Sequence, residues 1–348
     1  MEWFELGIAL VVILASAELF TNGIEWVGES LGLSEGAVGS VLAAVGTALP
    51  ETLLPLVAIA TGHEAGQHIG TGAILGAPFM LSTLAMFILG VAVLIFARGG
   101  RRPTDIAGDR RVILQDLGYF LAMYSLAVVA GVFHHRWFKI SLAVLLFVGY
   151  AVYVRRHFAA AGGEPEVQTE AAGEVRPLHL RVLVRRLRRL PVHPRTVPPT
   201  WASIAQSLVA LAGMVVGARV FVAGVDLVAR TFHIPPLALA LLIAPIATEL
   251  PEKFNSVIWV HRRKDTLALA NITGAMVFQS SFPVTIGLAL TPWRLTGDAL
   301  VSALVALVAG SIVWVTIKVR GTLAARLLLL NGALFAGYVV YVVTRLRS

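Results

Sequence analysis

Residues 46–51 read GTALPE and residues 247–252 read ATELPE. Each run sets a glutamate, Glu51 or Glu252, directly after a proline inside a long apolar stretch. An ionisable group at that depth of an apolar span is costly and marks a functional position. Proline has no N–H to donate and frees the carbonyl four residues back. In a bilayer such a break survives only where protein or a water-filled cavity covers it. The doubled element therefore predicts two broken helices with a carboxylate at each break, the setting of a cation site at the membrane midplane.

The rest of the composition agrees with a membrane setting. Of 348 residues, 57% are apolar and only 14% charged, and the mean hydropathy is +0.81. A soluble domain does not need so much apolar residue, so the fold class is all-α and polytopic. The absence of cysteine excludes disulfides, cysteine-ligated zinc and iron–sulfur clusters. The net charge of +8 lies in loops between spans and points to cytoplasmic membrane loops, not nucleic acid. The N-terminus has no basic segment or cleavage site and reads as a first span.

Apolar windows of about 20 residues predict ten transmembrane helices: 3–27, 36–60, 69–96, 113–133, 138–154, 201–229, 236–260, 267–290, 299–317 and 323–343. With Lys139 and Arg326 counted in the loops beside them, one face of the membrane receives 20 Lys/Arg and the other 6. The richer face is expected to be cytoplasmic, with both termini outside. Residues 1–155 form one five-span unit, 156–200 a cytoplasmic basic linker and 201–348 a second five-span unit. Within the linker, residues 159–173 are small and polar, as in a disordered segment. His179 to Leu190 alternates arginine with leucine and valine. This fits an interfacial helix on anionic lipid or a solvated basic linker.

A shift of 201 positions lays residues 17–51 on 218–252 without a gap. Phe20 meets Phe221, Gly23 meets Gly224, Val27 meets Val228, Ala43 meets Ala244 and Thr47 meets Thr248. Glu25 and Asp226 are a conservative pair. Five spans per unit is an odd number, so the second enters the membrane from the opposite side. Two inverted five-helix repeats are expected, with the site at their interface.

Residues 23–51 and 224–252 resemble the two half-signatures of the sodium/calcium exchanger superfamily of cation antiporters. The segments 72–76 (GAILG) and 270–274 (ANITG) resemble its downstream element. The likeness covers the whole ten-span layout. It implies a packed core of spans two, three, seven and eight around the ions, with spans one and six as long tilted helices that slide over it. It makes Glu51 and Glu252 the metal-binding carboxylates and Thr47 and Thr248 lining hydroxyls. Several family ligands are replaced. Ala48 and Glu249 stand where serine is usual, Ala73 where Asn271 has its match, and of the final amide or acid only Gln279 remains.

The oxygen set is then Glu51, Glu252, Glu249, Thr47, Thr248, Gln279 and Asn271, with backbone carbonyls and water. It suits one divalent ion, which takes six to eight oxygens, better than several additional sodium sites. Close carboxylates hold a shared proton or cation, and a glutamate that exchanges its proton for a metal ion makes a simple antiporter. Lys253 either neutralises a carboxylate inside the site or snorkels to an interface. Glu18 and Arg219 hold equivalent positions in the repeat and are a possible gate pair.

The expected function is a secondary-active antiporter of an integral, bacterial-type plasma membrane, exchanging Ca2+ or another cation for Na+ or H+. No cofactor is expected. The partners are inorganic cations and lipid, with no nucleic acid. The alternatives are a passive cation channel and a degenerate, non-transporting family member. An enzyme is not expected, since no zinc-protease HExxH or serine-nucleophile motif occurs.

Overall fold

A computed structural model describes residues 2–30, 43–100, 102–133, 135–160, 177–187, 198–295 and 297–347. The helices are α1 (Glu2–Ser30), α2 (Ala43–Ala60), α3 (Glu64–Met80), α4 (Met86–Phe96), α5 (Arg110–Val132), α6 (Arg136–Ala160) and α7 (His179–Leu187). There follow α8 (Thr200–Phe232), α9 (Pro236–Thr248), α10 (Leu250–His261), α11 (Asp265–Leu290), α12 (Asp298–Arg320) and α13 (Leu328–Arg347). One antiparallel pairing, β1 (Asp105–Ile106) with β2 (Leu323–Ala324), interrupts the all-α fold. Among the described residues, eight helices are long and apolar enough to cross a membrane, and 48–60 and 236–246 are shorter apolar helices. The protein is thus a polytopic α-helical membrane protein.

The chain forms two compact units. One comprises Met1–Val57 with Arg155–Gly224, the other Ala58–Val154 with Val225–Ser348. These differ from the consecutive units read from the sequence, because each observed unit draws on both halves of the chain.

In the first unit α1 and α8 pack antiparallel through small residues, which let helix backbones approach closely. A Cβ built on Gly23 would stand 2.5 Å from Ser207 Oγ, and one on Gly224 2.9 Å from Leu6 Cδ2. Between them, Gly213 faces Ser16 and Gly217 faces Val12 and Ile13. These contacts exchange under the 201-residue shift: Leu6 maps onto Ser207 and Gly23 onto Gly224, so one contact becomes the other. Leu49 and Leu53 of α2 pack on a small cluster of Phe20, Ala210 and Met214.

The linker helix α7 also belongs to this unit and docks by its first turn. The N–H groups at a helix start have no intrahelical acceptor. Here His179 N donates to Asn22 Oδ1 (3.0 Å) and Leu180 N to Gln206 Oε1 (2.8 Å). Gln206 in turn donates to Asn22 Oδ1 (3.0 Å) and to the Leu19 carbonyl (2.8 Å). The helix lies inside the predicted interfacial segment. Most of the stretch expected to be disordered lies outside the described residues.

In the second unit α3 lies backbone to backbone against α9. A Cβ on Gly72 would stand 2.5 Å from the Leu237 carbonyl oxygen, and one on Gly76 2.7 Å from Pro245 Cγ. Gly76 also faces the carbonyl of Leu241, which Pro245 leaves without its helical donor. The small residues of 62–76 therefore serve helix packing. Five residues of π-helix, Leu81–Ala85, join α3 to α4 just after Pro78. A π-turn leaves carbonyls without regular partners, and the buried Asn331 of α13 donates Nδ2 to Ser82 O at 2.7 Å.

Candidate cation site

The two LPE elements fold differently. In the second copy the helix breaks: α9 ends at Thr248, Glu249 is non-helical (φ −97°, ψ 9°) and α10 starts at Leu250. In the first copy α2 runs through Pro50 and Pro55 as one helix, so the symmetric pair of breaks expected from the sequence is not found. The reason lies in proline placement. Pro245 and Pro251 bracket Glu249 and free the carbonyls of Leu241 and Ala247 ahead of it, whereas Ala44 stands where the first copy would need the matching proline.

The broken copy holds an ion pair. Glu249 is 1% exposed and Lys253 6%. Lys253 Nζ lies 3.1 Å from Glu249 Oε2 and 3.2 Å from the Pro245 carbonyl. The backbone helps to set this geometry. Lys253 N donates to Glu249 O (3.3 Å), so the two side chains share a face four residues apart across the break. Of the two alternatives for Lys253, the structure has it neutralising a carboxylate internally.

The neighbouring predicted residues divide. Thr248 is buried and returns its hydroxyl to Ala244 O (3.3 Å). Asn271 donates to Ser256 Oγ (3.1 Å), which donates to Ala268 O (3.2 Å), tying α11 to α10. Gln279 is buried on α11, and its Oε1 has no hydrogen-bond partner among the described residues. Glu51 in the first unit is 6% exposed. The side chains of Thr47 and Glu252 lie outside the described residues. Among those described, no three His, Asp or Glu side chains converge as a metal-holding group.

Glu18 and Arg219, weighed as a gate pair, are not level in the α1–α8 packing. Facing residue numbers in that pair total about 230, so Glu18 stands opposite Ala212 and Arg219 opposite Val11. That is roughly two helical turns apart. Glu18 Oε1 instead lies 3.8 Å from His179 Nε2 of the linker helix.

One buried carboxylate has no counterpart among the predicted residues. Asp116 of α5, 1% exposed, accepts from Tyr153 OH (2.8 Å) and Thr273 Oγ1 (2.7 Å). It binds α5, α6 and α11 together around one side chain. The Asp116→Leu variant leaves two buried hydroxyls without their acceptor and is expected to lose about 1–3 kcal/mol of stability. Asp116→Asn keeps an acceptor oxygen and is expected to lose less. Thermal unfolding in detergent checks the order.

Buried carboxylates on proline-bearing helices of a polytopic bundle are the architecture of an ion transporter. The family model for the sodium/calcium exchanger protein matches residues 2–156 and 202–347. The chain belongs to that family. A protein assigned as an antiporter, CaxA of Alkalimonas amylolytica, is 24% identical over 294 residues, covering 82% of this chain and 79% of the relative. The inner membrane protein YrbG of Escherichia coli K12 is 26% identical over 294 residues, covering 82% and 78%.

Among solved structures, the H+/Ca2+ exchanger CAX superposes with a TM-score of 0.67 at 16% identity, covering 98% of this chain and 82% of that one. The sodium-calcium exchanger NCX_Mj superposes at 0.54 and 18% identity, covering 99% of each. At these identities the likeness establishes the shared fold. The chain is accordingly an integral membrane protein of an exchanger family and not an enzyme. In that family inorganic cations are cargo, not cofactors.

Proposed function

We propose that this protein is a secondary-active cation antiporter working by alternating access, with Glu51 and Glu252 as the carboxylates that carry the ion. The observation that carries this reading is the burial of Glu51 at an LPE element whose second copy sits at a broken helix. A carboxylate at 6% exposure in an apolar helix needs a cationic partner or a proton.

The two halves act as inverted repeats in this reading. The exchange of Leu6–Gly224 for Gly23–Ser207 contacts supports it, as a two-fold relation between equivalent helices requires such exchange. Both termini are outside and the basic linker is cytoplasmic, by the distribution of Lys and Arg.

Calcium is the first cargo to test, against Na+ or H+ as counter-ion. The loss of small hydroxyl and amide ligands at Ala48, Ala73 and Leu81 leaves few oxygens for additional sodium ions and favours H+. The test is Ca2+ uptake by reconstituted vesicles under an imposed pH or Na+ gradient. Uptake driven by the pH gradient is expected. Failure of both gradients to drive uptake of Ca2+ or another divalent cation would overturn the antiporter reading.

A further inference from the structure

We infer that the Lys253 ammonium is a resident, tethered cation that fills, at Glu249, a position a free monovalent ion would otherwise take. The inference rests on the proposed cation-carrying role of this region and identifies Lys253 as a specificity-determining residue within it.

Two of the ammonium's contacts are oxygens of the kinds that bind cations. Nζ meets one carboxylate oxygen of Glu249 at 3.1 Å and the backbone carbonyl of Pro245 at 3.2 Å. Carboxylate and backbone-carbonyl oxygens are what a hard cation takes in a protein, and breaks in membrane helices supply such carbonyls. Both side chains are almost wholly withdrawn from solvent, and the cationic group facing the acid is tied to the chain.

The doubled sequence points the same way. Glu249 matches Ala48 and Lys253 matches Thr52, both neutral. The second copy therefore holds an acid and a base where the first has neither. The two lie four residues apart, and their net charge is zero. The first copy has no such pair to close, and its helix is unbroken.

A structural staple across the break would use the same pair, and the test separates the two. Lys253→Met removes the tethered charge and leaves Glu249 in place, buried. Full-length, detergent-purified variants are heated in NaCl and in choline chloride of equal ionic strength, with KCl as a second alkali-ion arm. A saturable upward shift of the unfolding temperature by several degrees is expected for Lys253→Met in Na+ or K+. It should exceed any shift of the wild type and be absent from the double variant Glu249→Gln/Lys253→Met. The same response in single and double variants, or no gain over the wild type, would refute the inference. So would a Lys253→Met chain that alkali ions cannot keep folded while the double variant folds, because a free ion was to replace the ammonium.

The readout is binding, so it stands apart from transport. A chain that moves no Ca2+ but shows the Glu249-dependent response keeps the tethered cation and loses the antiporter. A chain that moves Ca2+ without the response does the reverse.

Discussion

Replacing Glu51 by glutamine is expected to lower gradient-driven cation uptake by at least about 100-fold, beyond the 10–100-fold cost of disturbing an outer-shell partner of a metal ligand. Glutamine keeps the length and the hydrogen-bonding capacity of the side chain and removes only its charge. Glu51 is 6% exposed, so little water screens the loss, and the attraction of a carboxylate for a cation is strongest in such a setting. The helix should tolerate the exchange, since α2 already carries Pro50 and Pro55 and packs through Leu49 and Leu53. Thr52 provides the control. Its hydroxyl returns to Ala48 O at 3.0 Å within the same helix. Thr52→Val should therefore keep uptake within about twofold, as expected for a local back-bond. Wild-type uptake by the Glu51→Gln variant would remove Glu51 from the carrier role.

The second large effect is on stability, at the loop end of the hairpin that carries the broken-copy residues. Arg102 donates Nη2 to both carboxylate oxygens of Asp265 (2.8 and 2.7 Å) and Nη1 to the Val260 carbonyl (2.8 Å). Val260 lies in the last turn of α10 and Asp265 opens α11. One guanidinium thus clamps the end of one helix to the start of the next, where a carboxylate also favours the helix dipole. Asp265 further accepts from Ala107 N (3.2 Å) beside β1. The Arg102 and Asp265 side chains are 4% and 11% exposed. Breaking a buried pair by removing one partner strands the other charge, so Arg102→Met is expected to cost about 3 kcal/mol. The double variant Arg102→Met/Asp265→Asn should cost clearly less than the two single effects added. Additive losses in detergent unfolding would show that the clamp carries no coupling energy.

Hydropathy made the polytopic helical fold legible, because eight of the described helices are long and apolar enough to cross a membrane, and the LPE elements pointed to the second break. What escaped the sequence depends on partners far apart in the chain. The partners of Asp116, Tyr153 and Thr273, come 37 and 157 positions later, so no local pattern announces a buried triad. The docking of α7 relies on Asn22 and Gln206, which are 184 positions apart.

Glu18 and Arg219 show a different limit. Matching positions in a repeat meet only near the axis that relates them. With facing numbers totalling about 230 and a shift of 201, that axis passes near Leu14 and Val216. Glu18 lies beyond it. The unbroken α2 was hidden for another reason: the motif repeats while the proline that precedes it, Pro245, does not.

The α1–α8 pair maps onto itself when its ends are exchanged. The match is one of positions and not of residues, since Leu6 answers to Ser207. Under the proposed alternating access, a resting preference would come from such differences between the two ends. The linker helix is one, because it grips Asn22 and Gln206. Their equivalents are Ala223 and Glu5, which do not reproduce that amide pair, so α7 loads one end of the pair and not the other. If the chain alternates access as proposed, shortening the linker, or loosening its hold on those two amides, would shift the balance between its two states without touching Glu51 or Glu252.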